Sequence, residues 1–477
     1  MAKKNELSFA ESAGYHKEDD GAISPSIPEK YRGTAEDRHD MQVLGKTQVL
    51  RRNFKGITIM GFSSMVMVAW EALLVIVIYP LIDGGSPCLF WGLLIAPVGL
   101  TPVYMSLAEL ASMPLALTGV PRLEASQYHW VSELAPPKYQ KPLSYGAKVV
   151  QGLISLNNPD YVAKSWHTTL LVVAINLVSV IFNTILAVRL PLIEGILLVL
   201  HLAGIFAIVI PLWVMGPRGN PREVLLEFTS IGGWESTGLA TMIGLPAMIA
   251  MLYGYDCVVH MAEEVQDASR IIPPTILVGM WGNAVLMLIV GITFIFTMGD
   301  VEAILSTPTG VPFIQVFWNA TGSIAATNLM TVIIVVMLIS ACFSEVATAS
   351  RQIWSFARDK GLPQSRWLAV ITPRWNIPLN AVCVSTVFTT LLALIDLGSS
   401  EALNAINSLA QVAILSSYMI TILCLIWRRL RGPPLPARRW SLGKWGLTVN
   451  IVAVVFMVPI FIFATWPLEQ PVTAVNM

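Results

Sequence analysis

The chain has 477 residues, of which 55% are hydrophobic and 13% are charged, with a mean hydropathy of +0.65. Soluble domains carry about 25% charged residues, so this composition excludes a soluble globular protein and indicates a polytopic membrane protein. The formal net charge is zero, so bulk charge gives no reason to expect a nucleic-acid partner, and five cysteines without a CxxC motif indicate neither a disulfide framework nor a zinc site.

The N-terminal region differs in composition from the rest of the chain. Residues 1–50 mix Lys, Glu, Asp, Ser and Gly with few apolar side chains, and such a composition cannot bury a core. We therefore predict a disordered tail over residues 1–50. Four basic residues precede the first apolar run: Lys46, Arg51, Arg52 and Lys55. The positive-inside rule then predicts a cytoplasmic N-terminus.

Hydropathy predicts ten spans, since roughly 20 apolar residues are needed to cross a bilayer. Together they define a transmembrane domain over residues 51–466, followed by a short C-terminal tail over residues 467–477. The predicted spans cover residues 56–80, 88–113, 167–188, 191–215, 240–261, 275–298, 325–350, 379–397, 403–427 and 445–466.

The distribution of basic residues predicts on which side of the membrane the later loops lie. Residues 351–378 and 428–444 are rich in Arg and Lys and are predicted to be cytoplasmic. Residues 299–324 and 398–402 contain neither and are predicted to face outside. The only N-x-S/T sequon starts at Asn319, in the first of these outside loops, which makes Asn319 a candidate for glycosylation.

The number of predicted spans conflicts with these orientations. A cytoplasmic N-terminus and a cytoplasmic loop at residue 351 require an even number of crossings between them, but seven spans are predicted there. The missing crossing falls between residues 114 and 166, where the longest apolar piece is short and contains Lys148. Either one orientation is wrong, or the chain has lost a span here.

Residues 244–274 combine a predicted span with ionisable groups. Gly254, Tyr255 and Asp256 lie inside this span, and His260 follows one turn later. An ionisable group within a span is expensive and marks a functional site by default. Glycine allows a helix to unwind, which frees backbone groups for a ligand. The stretch therefore predicts a substrate site.

Several motifs share a pattern with a known family. They are Trp70-Glu71-Ala72, AELASM at 108–113, QYHW at 127–130, Gly254-Tyr255-Asp256, HMAEEVQDASRIIP at 260–273, ASR at 349–351, FARDKGLP at 356–363 and WRR at 427–429. Together they resemble the amino acid–polyamine–organocation transporters, and most closely the fungal amino-acid/choline (GABA-type) permeases. The likeness covers about residues 50–470.

The resemblance implies an all-α fold of two inverted five-helix repeats, with the first helix of each repeat broken at the bilayer midplane. Half-helix N-termini would there face a substrate carboxylate. Both expected break positions carry an aromatic residue followed by an acid, Trp70-Glu71 and Tyr255-Asp256. The glycine nearest upstream of Trp70 is Gly61, so the sequence offers no local cause for a break there. The resemblance also implies twelve helices, of which the third and twelfth are apparently missing.

The candidate substrate-binding residues surround the two expected breaks. Asp256 and Glu71 could balance a substrate ammonium or carry a coupling proton, since burial raises a carboxylate's pKa. Each could equally be a structural group bonded to a neighbouring helix. The aromatic rings could form cation–π contacts with an amine, although single aromatic residues in spans more often serve packing. The full set is Trp70, Glu71, Tyr253, Gly254, Tyr255 and Asp256.

Four further residues are candidates for gating or proton coupling: Glu109, His260, Glu263 and Arg351. The resemblance suggests that Glu263 pairs with basic residues when the inner path is shut, and Arg351 and Arg358 are possible partners or topology anchors. Glu109 could be a gate residue or an interfacial anchor. His260 could shuttle protons or cap its helix. Glu264 is interpreted as part of a solvated loop.

No GxSxG, HExxH or phosphate-loop motif is present, so we predict no enzyme activity, cofactor or metal. We predict a secondary transporter of amino acids, GABA or choline-like amines, proton-coupled and working by alternating access. Its expected partners are a small amine or amino acid, the proton and the lipid bilayer. The plasma membrane is the expected location, with the vacuolar membrane as the alternative. A truncated, non-transporting or sensor-like relative is the alternative function, motivated by the missing spans.

Overall fold

A computed structural model of the protein describes residues 23–24, 27–43, 45–113, 136–372, 375–397 and 400–472. Within these ranges the chain is almost entirely helical, and β-structure is limited to isolated bridges such as that between Phe54 and Val265. After an N-terminal helix, α1 (Ala35–Val43), the first repeat contains α2 (Gly56–Met67), α3 (Ala69–Ile76), α4 (Gly85–Ala111), α5 (Pro136–Asn157), α6 (Ser165–Thr184) and α7 (Leu190–Met215).

The second repeat has the same design. It contains α8 (Thr237–Ala250), α9 (Cys257–His260), α10 (Ala268–Thr297), α11 (Ile324–Arg358), α12 (Leu379–Ala393) and α13 (Ser400–Arg431), and α14 (Gly446–Phe463) follows it. Short helices connect these elements: Glu29–Tyr31, Ile78–Ile82, Ala187–Arg189, Pro221–Leu226, Ala262–Glu264, Val301–Leu305, Pro312–Thr321, Ser365–Leu368, Leu394–Leu397 and Gly443–Trp445.

The helices form two groups that pack against each other. The broken pairs α2/α3 and α8/α9 pack with α4 and α10 in a central bundle, and α5, α6, α11 and α12 form a second layer. Helix α7 lies along α2 and α10, and α13 lies between α5 and α14. The fold is therefore an inverted-repeat helical membrane transporter fold, as predicted.

The predicted spans coincide with helices. Among the described residues, eight helices are long and apolar enough to cross a membrane, and two shorter apolar helices, Thr237–Ala250 and Leu379–Ala393, occupy the other two predicted spans. The side chains that face outward from the long helices are mostly large and apolar, as on α7 and α14. Such a surface suits a lipid environment.

The prediction that no helix occupies the third crossing is wrong. Helix α5 runs from Pro136 to Asn157, and its 22 residues extend over about 33 Å at 1.5 Å per residue. It packs along α11 and beside α6 and α12. Hydropathy missed it because its residues are polar as often as apolar: Lys148 is exposed, whereas Ala147, Val149 and Gln151 are buried against neighbouring helices. A helix covered by protein does not need the apolar surface that lipid demands.

The structure also differs from the predicted tail over residues 1–50. Residues 27–43 and 45–50 are folded against the loop that joins α9 to α10, and Ile27, Met41 and Leu50 are buried. The Asp37 carboxylate lies 3.1 Å from Arg52 and accepts the backbone N–H of Asp267 at 2.9 Å. The segment needs no core of its own because it uses that of the bundle. Residues 1–22 lie outside the described residues.

The helical bundle has two ends. The end that carries residues 27–55 is called the N-terminal face, and the end that carries Asp83 and residues 229–236 is called the opposite face. At the opposite face the predicted C-terminal tail is partly ordered: Gln470 donates its N–H to the Gly232 carbonyl at 2.8 Å, and Trp234 donates to the Leu468 carbonyl at 3.3 Å. Residues 473–477 lie outside the described residues.

Candidate substrate site

The first helix of the second repeat is interrupted as predicted. Helix α8 ends at Ala250, α9 begins at Cys257, and Gly254 between them has a φ of +100°. Residues with side chains rarely adopt this conformation, which glycine adopts freely. The interruption leaves backbone N–H and C=O groups in the middle of the bundle without helical partners.

Two tyrosine hydroxyls hold this break in place. The Gly254 N–H donates to the hydroxyls of Tyr104 (3.0 Å) and Tyr418 (3.2 Å). Tyr104 in turn donates to the Leu252 carbonyl at 2.6 Å, and Tyr418 donates to the Asp256 carboxylate. Tyr104 belongs to α4 and Tyr418 to α13, so these bonds tie the break to two other helices. Sequence analysis did not identify either tyrosine.

The first helix of the first repeat breaks without a glycine. Helix α2 ends at Met67, α3 begins at Ala69, and Val68 between them has φ 36° and ψ 48°. A β-branched residue in this left-handed region is a genuine outlier, with a cost of about 1–2 kcal/mol. The break predicted near Trp70 is therefore present, and its cause lies in the fold rather than in the local sequence.

A cavity lies between the two breaks. It encloses about 710 Å³ of space, including its mouth, and the breaks contribute Val68 and Tyr253 to its wall. Helices α5, α11 and α13 contribute Tyr145, Glu345 and Gln411. A second cavity of about 660 Å³ shares Tyr145 and Gln411 with it and extends toward the opposite face, where Trp466 and Leu468 line it. The two cavities are therefore adjacent, and the second lies between the first and the opposite face.

The predicted substrate residues occupy different surroundings. Tyr253 lines the cavity, and its buried hydroxyl has no hydrogen-bond partner among the described residues. Tyr255 packs edge-on against Tyr104, with ring centroids 5.7 Å apart. Trp70 is fully buried against His201 of α7, and Glu71 lies 2.7 Å from the Nδ1 atom of that histidine. Neither of these two side chains lines the cavity.

Asp256 belongs to a polar group beside the break. Its carboxylate accepts the Tyr418 hydroxyl and lies 3.9 Å from His260 Nε2, one turn later. The side chain is buried but is not part of the cavity wall. The arrangement holds the unwound segment against α13, and a direct role of Asp256 in substrate binding stays a prediction.

Sequence analysis missed the carboxylate that does line the cavity. Glu345 of α11 is 6% exposed and contributes to the cavity wall together with Leu338, two turns earlier. The signal was available, since Glu345 is an acid within the predicted span 325–350. The criterion applied to Asp256, an ionisable residue inside a span, identifies Glu345 equally well.

The N-terminal face is closed by two ion pairs between the bundle and α11. Arg358 binds Glu263, with Nη1 to Oε2 at 3.0 Å, and Arg351 Nε lies 2.7 Å from Glu264 Oε1. Glu263 therefore has one of the partners predicted for it. The interpretation of Glu264 as a solvated loop residue is wrong, because Glu264 is buried and pairs with Arg351. Glu263, Glu264 and Arg351 line a smaller cavity of about 340 Å³, together with His260.

Glu109 lies at the same face, at the end of α4. Its side chain is fully buried and accepts bonds from Arg429, from Arg438 at 2.9 Å and from the Leu442 N–H at 3.2 Å. It thus fixes the basic loop between α13 and α14 to the bundle. Its predicted role in gating stays a prediction.

Asn319 lies on a short helix near the opposite face, Pro312–Thr321. Its side chain is exposed and accepts a bond from Gln315 at 2.8 Å. Glycosylation of Asn319 stays a prediction. Among the described residues, no group of three or more His, Cys, Asp or Glu side chains could hold a metal ion.

Comparisons with known proteins agree with this geometry. Residues 142–477 match the family model described as amino acid permease. A Macrophomina phaseolina protein, named as a candidate amino acid/polyamine transporter, is 28% identical over 87% of this chain and 95% of its own length. The choline transporter of Saccharomyces cerevisiae is 28% identical over 90% of this chain and 78% of its own length.

A solved structure supports the fold. The crystal structure of MhsT in complex with L-phenylalanine superposes with a TM-score of 0.59 at 14% identity, covering 86% of this chain and 98% of that one. The family match extends over more than half of the sequence. The chain therefore belongs to the amino acid permease family and is a secondary transporter.

Proposed function

We propose that this permease carries a small solute with an amino or quaternary ammonium group, namely an amino acid, GABA or a choline-like amine, by proton-coupled alternating access. The observation that carries the proposal is the cavity at the two helix breaks, where Glu345 is the one carboxylate among the described residues of the wall.

The cavity wall offers complementary chemistry to such a solute. The Glu345 carboxylate would attract an ammonium group, and the Tyr253 ring would add a cation–π contact. The free N–H groups at the start of α3, which have no acceptor within that helix, would bind a carboxylate if the substrate carries one. A quaternary amine would use the first two features only.

The two faces differ in a way that supports alternating access. The path to the cavity runs toward the opposite face, whereas Glu263 and Glu264 pair with arginines to close the N-terminal face. We propose that the N-terminal face is cytoplasmic, because the basic loops 359–378 and 432–445 lie there. The plasma membrane is the location we propose. The structure would then correspond to an outward-facing conformation.

Uptake of labelled solutes in a permease-deficient yeast tests the proposal. Choline, GABA and neutral amino acids would each be measured at pH 5 and pH 7, with surface expression quantified. At least one solute should be accumulated, and faster at pH 5 if protons drive uptake. Wild-type protein that reaches its membrane and transports none of them would contradict the proposal.

Glu345→Gln tests the assignment of the carboxylate. Loss of a charge-assisted bond of about 1.5–3 kcal/mol should lower uptake of the preferred amine by roughly 10- to 150-fold. Glu194→Gln is the matched control, because Glu194 is a buried acid bonded to Ser344 outside the cavity. Equal uptake by Glu345→Gln and wild type would remove Glu345 from substrate recognition.

The missing third crossing no longer supports a non-transporting or sensor-like relative. Helix α5 occupies that position and supplies Tyr145 to the cavity. Helices of both the central bundle and the second layer therefore surround the site.

A further inference from the structure

A second pair of ionisable side chains lies deep in the bundle, outside the cavity wall. The Nδ1 atom of His201 on α7 is 2.7 Å from Glu71 Oε1 on α3, and the two side chains are 1% and 0% exposed. Among the described residues, Glu71 Oε2 and His201 Nε2 have no hydrogen-bond partner. An acid and a base isolated in this way are expensive to bury, so a role beyond packing is indicated.

The pair joins two elements that the fold allows to move. Glu71 lies three residues after the break at Val68, in the half-helix whose N-terminus borders the cavity. His201 belongs to α7, which packs along α2 and α10. A shift of α3 relative to α7 would change the distance between Glu71 and His201 directly.

The surroundings supply no other charge to compensate Glu71. His201 is its one ion-pair partner among the described residues. Tyr255 faces Glu71 from the other break, and Glu194, seven residues before His201 on α7, is bonded to Ser344. Tyr255 carries no positive charge, and Glu194 is another acid. Separation from His201 would therefore leave a buried carboxylate with no cation beside it.

We propose that the Glu71–His201 pair is the binding site of the coupling proton. In the paired state the neutral imidazole donates its Nδ1 proton to the Glu71 carboxylate. When α3 moves from α7, the unpaired carboxylate binds one proton from the aqueous path, because removal of its partner would otherwise leave an uncompensated buried charge. When the pair re-forms, Glu71 releases that proton. One proton is bound and one released per cycle. This inference rests on the proposed transport function and assigns its coupling to two residues.

The test separates exchange from accumulation in proteoliposomes. Counterflow measures exchange of labelled choline, or of labelled GABA if wild type prefers it, against preloaded unlabelled solute without a pH gradient. Accumulation is measured with an imposed pH gradient. Wild-type protein that fails in counterflow would contradict the proposed function itself, so the two failures are distinguishable.

The double variant Glu71→Gln/His201→Asn allows a neutral amide–amide bond but contains no group that can bind the proton. It should retain counterflow within about threefold, and gradient-driven accumulation should fall by at least tenfold. Glu194→Gln is the control and should retain both activities. The proposal is overturned if the double variant accumulates solute as wild type does. It is also overturned if the double variant loses counterflow, because the pair would then be structural.

Discussion

The guanidinium of Arg351 lies 2.7 Å from the carboxylate of Glu264, and the two side chains are 2% and 7% exposed. Arg351 belongs to α11 in the second layer, whereas Glu264 follows the broken helix of the central bundle. The pair therefore connects the two groups of helices that must separate if the N-terminal face is to open. Glu263 and Arg358 form a second, more exposed connection beside it.

Removal of one partner of the buried pair should destabilise this closed conformation. Glu264→Gln leaves Arg351 buried without a counter-charge, which typically costs about 3–5 kcal/mol. Thermal unfolding in detergent should show a lower midpoint than in wild type. Glu227→Gln changes an exposed acid directly after the short helix Pro221–Leu226; it is the control and should leave the midpoint unchanged. A Glu264→Gln midpoint equal to that of wild type would show that the pair contributes nothing.

Tyr418→Phe should loosen the break of the second repeat. The change removes the hydroxyl that accepts the Gly254 N–H and donates to Asp256. Loss of a buried hydrogen bond to a charged group costs about 1.5–3 kcal/mol, so uptake should fall by at least tenfold at equal surface expression. Tyr161→Phe is the matched control, because its hydroxyl bonds to His167 between α5 and α6, away from the break. Equal uptake in both variants would contradict the role of Tyr418.

Asp37→Asn should release the N-terminal segment. The carboxylate binds Arg52 and the backbone N–H groups of Asp267 and Ala268. Loss of bonds worth about 1.5–3 kcal/mol should accelerate tryptic cleavage after the exposed Arg38 by at least tenfold. Glu36→Gln changes the neighbouring exposed acid and should leave the cleavage rate as in wild type. If both variants are cleaved at the same rate, Asp37 does not anchor the segment.

Asp83 should make the opposite face sensitive to pH. Burial, and secondly the negative charge of Glu469, raises the pKa of Asp83 to about 7. The folded state therefore binds a proton that the unfolded chain has released above about pH 4. Stability falls with rising pH wherever the folded state binds more protons than the unfolded state. The favourable contribution of Asp83 to the stability of this face is therefore present at low pH. It is lost as pH rises toward about 7.

Hydrogen exchange of residues 229–236 measures this effect. These residues pack beside Asp83, whose Ser230 bridge joins the two segments. After correction for intrinsic exchange rates, protection should be higher at pH 5 than at pH 8 in wild type. Asp83→Asn should show the same protection at both pH values. A pH dependence that persists in Asp83→Asn would assign it to another group.

The sequence located most helices because lipid-facing helices must be apolar along their length. It failed at α5, where neighbouring helices cover much of the surface and bury a polar residue such as Gln151. It also failed at residues 27–50, whose order depends on contacts with residues about 230 positions later, such as Asp37 with Asp267.

The site was predicted only in part for a similar reason. Gly254 marks its break by residue type, whereas Val68 breaks the first helix through tertiary packing that no local pattern reveals. Tyr104 and Tyr418 come from distant parts of the chain and converge on one N–H group. Glu345 was within reach of the sequence argument, since it satisfies the same rule as Asp256.

Val68 has a consequence for attempts to alter size selectivity. Val68 forms part of the cavity wall, while its backbone adopts a conformation that only glycine adopts without cost. A substitution to glycine, made to enlarge the cavity, would also relax the strained backbone of the break. A substitution at this position therefore changes both the width of the cavity and the flexibility of the break. To change the width alone, another residue of the cavity wall has to be substituted.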